Sequence, residues 1–197
     1  MSLVPMVIEK TVGGERAMDI QSRLLRDRIV MLTTGVDEQS AAIIVSQLLF
    51  LESEDPKADI HFYINSPGGS VVDGLAIYDV MELIKCDVST IAMGQICSMG
   101  SLLFQSGAAG KRYMMPNARQ MIHSVSCGSP SQTIIDQRIR MAETDKLNTQ
   151  LTQIYANHNS KGKTFADFEM VMQRDFFLSA QESIAFGVAD HIITKRP

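Results

Sequence analysis

The feature that most constrains the fold of this chain is an alternation of strand-like and helix-like segments between residues 28 and 107. In the segment DIHFYI, apolar Ile60, Phe62 and Ile64 alternate with other residues, as they do in a β-strand. The whole pattern predicts strands at 28–32, 59–64 and 88–92 and helices at 37–54, 71–85 and 98–107. Strands that alternate with helices favour parallel pairing. The sequence therefore predicts an α/β fold.

The second half of the chain carries a long polar helix, predicted from about residue 131 to 158. Its apolar residues form only a narrow stripe of Leu147, Leu151, Ile154 and Tyr155. We therefore expect much of this helix to face water or another subunit. The other elements predicted here are strands near 112–114 and 120–123, a helix with a Ser179–Glu182 capping box that ends at Gly187, and a strand at 188–193.

Composition and charge exclude several kinds of partner. The chain has 197 residues, enough for one domain with its own core, and a net charge of −4 with both signs interspersed, which predicts no nucleic-acid or membrane partner. Cys86, Cys97 and Cys127 lack the spacing of a zinc or redox motif, so we expect free thiols in a reducing compartment. No long apolar run or targeting segment is present, and we expect a cytoplasmic protein.

The segment MGQICSMGS at 93–101 contains two candidate nucleophiles, Cys97 and Ser98, at a predicted junction of strand and helix. A nucleophile at such a junction is exposed at the mouth of the sheet, and the next amide, that of Met99, faces the reacting carbonyl. The formal G-x-S-x-G pattern is incomplete, because Ile96 stands where the first glycine belongs. The alternative is that the small residues only allow a helix to pack closely.

A second segment, NSPGGS at 65–70, also follows an apolar strand. Its glycines leave backbone N–H groups unshielded, so the segment is either a plain turn or a donor to an oxyanion. Among the histidines at 61, 123, 158 and 191, only His123 both ends a strand and precedes a loop, a position typical of active sites. The acid that would pair with it stays open among Asp136, Asp175 and Asp190.

Four segments in this order, YINSPGGS, DVSTIAMGQICSMGS, GKRYMMPNARQMIH and RDFFLSAQE, resemble the proteolytic subunits of Clp proteases, the ClpP family. The resemblance covers nearly the whole chain. Carried over residue by residue, it implies that Ser98 is the nucleophile, His123 the base and Asp175 the acid. It also implies an oxyanion hole formed by the backbone N–H groups of Gly69 and Met99, with Ser70 and Val71 binding the substrate backbone.

The same resemblance implies an architecture and partners. The expected fold is a single α/β domain over 1–197, a ClpP/crotonase-like fold of stacked ββα units, with a protruding long helix and strand for ring contacts. Residues 1–20 would be an axial segment and 124–160 the handle between two stacked heptameric rings. The family degrades unfolded polypeptides delivered by a hexameric AAA+ unfoldase; the subunit itself needs no cofactor or metal, and its sequence has no P-loop.

The chain also departs from the family pattern. The pocket that docks the ATPase is altered at His61, Leu83 and Tyr113, while Tyr63 is retained, and Ser124 follows the histidine where the family has glutamine and proline. These departures suggest a divergent paralogue with its own ATPase or in mixed rings. Two alternatives stay open: a catalytically silent or regulatory ring subunit, and a crotonase-like acyl-CoA enzyme.

Overall fold

A computed structural model describes residues 5–11, 14–126 and 133–195 of the chain. The elements, in chain order, are β1 (Met6–Thr11), β2 (Gly14–Asp19), α1 (Ile20–Arg26), β3 (Ile29–Leu32), α2 (Glu38–Glu54), β4 (Ile60–Ser66), α3 (Val71–Leu83), β5 (Val88–Cys97), α4 (Met99–Gln105), β6 (Arg112–Met114), β7 (Arg119–Ile122), α5 (Ile134–Asn157), α6 (Phe165–Val171), β8 (Phe176–Ser179), α7 (Ala180–Phe186) and β9 (His191–Ile192). In the part of the chain that the structure describes, β1 and β2 form an antiparallel hairpin and the other strands form one larger sheet.

The larger sheet is mostly parallel, with the strand order β3-β4-β5-β6-β9. Strand β5 holds two neighbours on one side: its first half pairs with β6, and Gln95–Cys97 pair in parallel with β7. Strand β8 then pairs antiparallel with β7. The predicted single-domain α/β fold with parallel pairing is confirmed, and the point where β5 changes neighbours lies next to the candidate nucleophiles.

The predicted strand at 88–92 is longer in the structure, because β5 continues to Cys97 through a bend. Gly94 has a φ of 57°, a left-handed conformation that glycine adopts without steric cost. The side-chain carbonyl of Asn65 accepts a hydrogen bond from the Gln95 N–H at 3.2 Å, and the register between β4 and β5 shifts around Asn65. Pairing with β7 then resumes, so the strand reaches the nucleophile segment.

The core confirms the amphipathic patterns read from the sequence. Helix α2 begins after the N-cap Asp37 and buries the four predicted residues Ala41, Ile44, Leu48 and Leu51. On β4 the residues that alternate with His61, Tyr63 and Asn65 are all buried. Strand β4, which leads into the glycine turn, is therefore anchored in the core.

Several boundaries differ from the prediction. Helix α3 ends at Leu83 and not at 85, and β9 covers only His191–Ile192, because Val188 and Ala189 pack into the core and Asp190 binds Arg112. The predicted start of the long helix at 131 lies outside the described residues, as does most of the strand expected in the handle; residues 124–126 form no strand. The hairpin, α1, α6 and β8 were not predicted. Of the helices in the described ranges, none is long and apolar enough to cross a membrane.

Candidate active site

Ser98 lies at a strained turn between β5 and α4. Its φ of 52° and ψ of −123° fall in a region that residues other than glycine rarely adopt, and such strain is concentrated at functional sites. The backbone is held on both sides: the Ser98 N–H donates to the Met121 carbonyl at 2.9 Å, and the Ser98 carbonyl accepts from the Ser101 N–H at 2.9 Å. The half-buried Ser98 side chain makes no capping hydrogen bond to α4.

Close packing through small residues surrounds this turn. A Cβ atom on Gly68 would lie 2.6 Å from the Ser98 Cβ, and one on Gly100 would lie 3.1 Å from the Ser66 Cβ. Gly74 of α3 leaves room for the Met99 side chain in the same way. The two interpretations of MGQICSMGS are therefore compatible, because the small residues hold the serine-bearing turn against the sheet and α3.

The glycine turn after β4 presents a backbone amide next to Ser98. Val36 bridges this turn: its N–H donates to the Gly68 carbonyl at 2.9 Å, and its carbonyl accepts from the Ser70 N–H at 2.8 Å. In a parallel pairing of this kind, the N–H of the central residue, Gly69, points away from Val36. The amide of Met99, the first residue of α4, likewise has no acceptor within the described chain.

One small cavity, about 40 Å³ in volume, brings these groups together. The cavity is lined by Gly69, Val71, Ser98, Met99, Leu102, His123, Ser124, Val125, Ser126, Leu151 and Tyr155. The predicted nucleophile, base and both predicted oxyanion donors thus line the same space. Among the described residues, Ser98 and His123 line this cavity without a hydrogen bond between the Ser98 hydroxyl and the imidazole.

His123 and Asp175 are brought together by the antiparallel pairing of β7 with β8. Ile122 pairs with Phe176, so the residues next to this pair, His123 and Asp175, face each other. The Nδ1 atom of His123 lies 3.7 Å from Oδ1 of Asp175, a distance beyond a hydrogen bond but within range of an ion pair. Of the three acids that spacing left open, only Asp175, the acid that the resemblance implied, neighbours His123.

The other two acids and three histidines have separate places in the fold. Asp136 interacts with Thr133 at the exposed start of α5, and Asp190 is paired with Arg112. His61 is exposed on β4, His191 stacks on Tyr113, and His158 contacts the Tyr78 hydroxyl at 3.4 Å. Burial lowers the pKa of His158, so this histidine is neutral at pH 7.

Cys97, the second candidate nucleophile, is a buried thiol. Cys97 is 8% exposed, and its Sγ atom lies 3.8 Å from Oε1 of Gln95. Burial raises the pKa of Cys97, and the negative charge of Asp175 acts in the same direction. A thiol of this kind stays protonated and is a poor nucleophile. Cys86 is also a free thiol, while Cys127 lies outside the described residues.

The two residues expected to bind the substrate backbone differ in availability. The Ser70 N–H already donates to Val36, and the Ser70 carbonyl accepts from the Gly74 N–H at 3.0 Å. Val71 is the first residue of α3 and lines the cavity beside Ser98. Both polar backbone groups of Ser70 are thus engaged within the fold, whereas Val71 borders the cavity.

The structure adds a residue that the sequence did not single out for the site. Tyr155 appeared there only as part of the apolar stripe of the long helix. In the structure its hydroxyl donates to the Ser98 carbonyl at 3.2 Å, and its ring lines the cavity. No local sequence pattern distinguishes a buried tyrosine that only packs from one that also donates a hydrogen bond to a candidate nucleophile.

The residues predicted for acyl transfer thus line one cavity at the ends of sheet strands, an arrangement typical of hydrolases with a nucleophile at a strand end. The family model described as Clp protease matches residues 12–196. The chain therefore belongs to the Clp protease family, as the resemblance implied. Membership makes it a peptidase, and proteins of this family are generally oligomeric and work with ATPase partners.

Proposed function

We propose that this chain is a serine endopeptidase, the proteolytic subunit of a self-compartmentalised Clp protease that cleaves unfolded polypeptides. The observation that carries the proposal is the shared cavity, which Ser98 lines together with His123 and the amides of Gly69 and Met99. Asp175, next to His123, is the proposed acid. The buried Cys97 supports the choice of serine over cysteine as the nucleophile.

In the proposed reaction, the Ser98 hydroxyl attacks the scissile carbonyl while His123 accepts its proton. The oxygen of the tetrahedral intermediate accepts hydrogen bonds from the N–H groups of Gly69 and Met99. His123 then gives the proton to the leaving amine, and the acyl-enzyme forms. Water, deprotonated by His123, attacks the ester in the same way and releases the new carboxyl group while Ser98 recovers its proton. Asp175 orients the imidazole during both steps.

An extended peptide would bind beside this site as an added strand. Val71, at the start of α3, borders the cavity on one side, and 124–126 borders it on the other without belonging to a strand. We expect backbone groups of these segments that have no partner within the fold to pair with a peptide whose side chains alternate between pockets. The N–H groups of Ser124 and Val125 already donate to the Met172 carbonyl and the Asn148 side chain. The apolar residues Leu102 and Leu151 in the cavity favour an apolar side chain next to the cleaved bond.

For the assembly we propose two stacked heptameric rings joined through α5. The first half of this helix exposes four large apolar residues, Ile134, Ile135, Ile139 and Met141, each more than half accessible. Apolar residues clustered on one exposed segment are typical of a protein interface. The second half of α5 packs against the core through the buried residues Leu151 and Tyr155.

For the unfoldase we propose a docking surface centred on Tyr63 and Tyr113. These residues line an open cavity of about 620 Å³ together with His61 and His191, and Tyr113 stacks on His191 with ring centres 5.4 Å apart. Leu83 is outside this cavity and 74% exposed at the end of α3. The histidines make this surface more polar than an aromatic pocket, which supports the idea of a divergent paralogue.

Labelling with a fluorophosphonate tests the catalytic proposal. The purified particle is treated with the probe, and the adduct is located by mass spectrometry, with Ser98→Ala as the control. We expect one adduct on Ser98 that the control lacks. Cys97→Ala, which removes only the neighbouring thiol, should still be labelled. Absence of labelling in an assembled wild-type particle would support the silent-subunit alternative and contradict the proposal.

A pull-down with the AAA+ unfoldase of the same host tests the docking proposal. A divergent surface predicts weak capture and little stimulation of protein degradation by that unfoldase. A variant with an aromatic residue restored, His61→Phe, should bind more strongly. Full stimulation of the wild-type protein would rule out the divergence of this surface, although the peptidase proposal would stand.

A further inference from the structure

Tyr155 connects the long helix α5 to the nucleophile turn. The residue is 3% exposed, and its ring stacks on Phe168 with ring centres 5.5 Å apart. Its hydroxyl donates to the Ser98 carbonyl at 3.2 Å. Packing with Phe168 therefore fixes the ring, and the fixed ring places one hydrogen-bond donor on the backbone of the proposed nucleophile.

Two further buried polar residues continue this contact into the core. The Gln120 amide donates from Nε2 to the Ser101 hydroxyl oxygen at 2.8 Å, and the Ser101 side chain is near enough to the Tyr155 phenol to influence its pKa. Both Gln120 and Ser101 are fully buried. The series therefore joins β7, α4 and α5 and ends on the Ser98 carbonyl. Hydrogen bonds in such a series polarise one another, which strengthens the last donor.

The Tyr155 phenol is available as a donor at any working pH. Burial raises the pKa of Tyr155, while the nearby Ser101 side chain acts in the opposite direction and has the smaller effect. The phenol therefore stays protonated. Its proton points to the Ser98 carbonyl, which also accepts from the N–H groups of Ser101 and Leu102 at 2.9 and 3.1 Å.

The Ser98 carbonyl matters because it belongs to the same planar peptide unit as the Met99 N–H. A group that holds this carbonyl therefore also sets the direction of the Met99 N–H, one of the two proposed oxyanion donors. Donation to the carbonyl oxygen polarises the peptide unit and makes its N–H a stronger donor. The same contact stabilises the strained backbone of Ser98, whose φ is 52°.

We propose that Tyr155 is a positioning residue that aims the Met99 N–H at the oxyanion through its hydrogen bond to the Ser98 carbonyl. This inference rests on the proposed serine peptidase function. The oxyanion exists only in the transition state and the intermediate, so the contact acts on kcat and leaves substrate binding unchanged. The Tyr155 side chain has no chemical role of its own in the reaction.

The variant Tyr155→Phe tests this role because it removes only the hydroxyl and keeps the stacking on Phe168. Removal of one oxyanion donor typically costs about 10²–10³ in kcat. Two backbone donors still hold the Ser98 carbonyl in the variant, so we expect a smaller loss, about 10-fold in kcat, with KM within about twofold of the wild type. The assay is hydrolysis of a fluorogenic peptide by the full-length assembled particle.

The control is Tyr78→Phe, since the Tyr78 hydroxyl contacts His158, away from the cavity. This variant should keep kcat and KM. Ser101→Ala, which interrupts the series without a change in α5, should lower kcat about threefold, and the double variant should lose less than the product of the two single losses. Non-additivity of this kind is expected only if both hydroxyls act through one series.

Four results would each overturn the inference. Two concern Tyr155→Phe alone: a kcat within twofold of the wild-type value, or a change in KM with kcat preserved. The other two are losses in kcat that multiply fully with those of Ser101→Ala, and a loss in kcat that accompanies dissociation of the particle in sedimentation. Failure of the proposed function is distinguishable from these results. If the proposed function fails, the wild-type particle itself will not react with a fluorophosphonate at Ser98. If the wild type is labelled and the Tyr155→Phe variant reacts with the probe equally fast, only the positioning role is refuted.

Discussion

The Nδ1 atom of His123 lies 3.7 Å from Oδ1 of Asp175, and 62% of the Asp175 side chain is exposed. Water screens a carboxylate this accessible, so its electrostatic effect on the imidazole is modest. The larger expected contribution of Asp175 is orientation, because antiparallel strands β7 and β8 hold the two residues face to face. Because Asp175 is exposed, we expect its removal to lower kcat less than the removal of a buried acid would.

Asp175→Asn should therefore lower kcat by about 10²–10³, below the roughly 10⁴ typical of a buried triad aspartate. The amide retains the shape of the side chain but cannot stabilise the imidazolium. The measurement is peptide hydrolysis by the assembled particle. Asp136→Asn changes another exposed acid, at the start of α5, and should leave kcat unaltered. Equal activity of the Asp175 variant and the wild type would remove Asp175 from the proposed site.

Gly69→Ala should reduce both activity and stability. A Cβ at this position would lie against the Val36 carbonyl oxygen and 2.8 Å from its nitrogen, and the φ of 151° disfavours any side chain. We expect a loss of about 1–3 kcal/mol in the free energy of unfolding and at least 10²-fold in kcat. Gly35→Ala is the matched control, since its Cβ would meet only the Gly68 carbonyl at 3.5 Å. Thermal unfolding and peptide hydrolysis are the readouts; an unimpaired Gly69 variant would exclude its amide as an oxyanion donor.

Native Cys97 should resist alkylation. Because burial raises its pKa and leaves the thiol protonated, iodoacetamide at pH 7.5 should modify this residue only after unfolding in guanidinium chloride. Peptide mapping by mass spectrometry separates Cys97 from Cys86 and Cys127. Rapid alkylation of native Cys97 with loss of activity would reopen its candidacy as the nucleophile.

The buried ion pair between Arg112 and Asp190 should contribute strongly to stability. Arg112 is 2% exposed and the Asp190 side chain 9%, and the guanidinium donates from Nε to Oδ2 at 2.8 Å. Asp190→Asn leaves a buried charge without its partner and should cost about 3–5 kcal/mol in the free energy of unfolding. Urea unfolding at a fixed protein concentration measures this. Asp27→Asn, in an exposed pair with Arg23, should cost far less, because water screens that pair.

The same pair predicts a pH dependence. Burial acts to raise the pKa of Asp190, but the hydrogen bonds and charge of Arg112 outweigh it and lower this pKa overall. A folded-state pKa below the unfolded value, near 4, means that the stabilisation is complete above that pH and is lost as the pH falls through the folded value. The stability difference between wild type and Asp190→Asn should therefore narrow below about pH 4. A constant difference down to pH 2 would contradict the assignment.

Ile139→Lys should weaken the proposed contact between two stacked rings. Ile139 is 64% exposed on α5, and a charge placed in an apolar interface is costly to desolvate. We expect sedimentation velocity to show a shift from the double ring toward single rings. Gln150→Lys adds the same charge at an exposed polar position of α5 and should sediment as the wild type does. Identical particles for both variants would place the ring contact elsewhere.

Local features of the fold were predictable from short stretches of sequence. The alternation of Ile60, Phe62 and Ile64 predicted β4, and the spacing of the apolar residues after Asp37 predicted α2, because periodicity and capping depend on neighbours a few residues away. The hairpin β1–β2 was missed, since GERAMD shows no apolar alternation and its strand is formed by pairing with β1. The extension of β5 was missed for a similar reason, because it depends on β7 as a partner.

The candidate site divides in the same way. Residue types and turn chemistry in MGQICSMGS and SPGGS, together with the family resemblance, were sufficient to single out Ser98, Gly69 and Met99. Spacing left three acids open and the family resemblance implied Asp175; the pairing of β7 with β8 brings Asp175, and neither Asp136 nor Asp190, next to His123. The role of Tyr155 was also invisible in the sequence, because Tyr155 and Ser98 are 57 residues apart and meet only when α5 packs against the sheet. Sequence patterns record short-range preferences, whereas contacts across such distances exist only after the elements have packed.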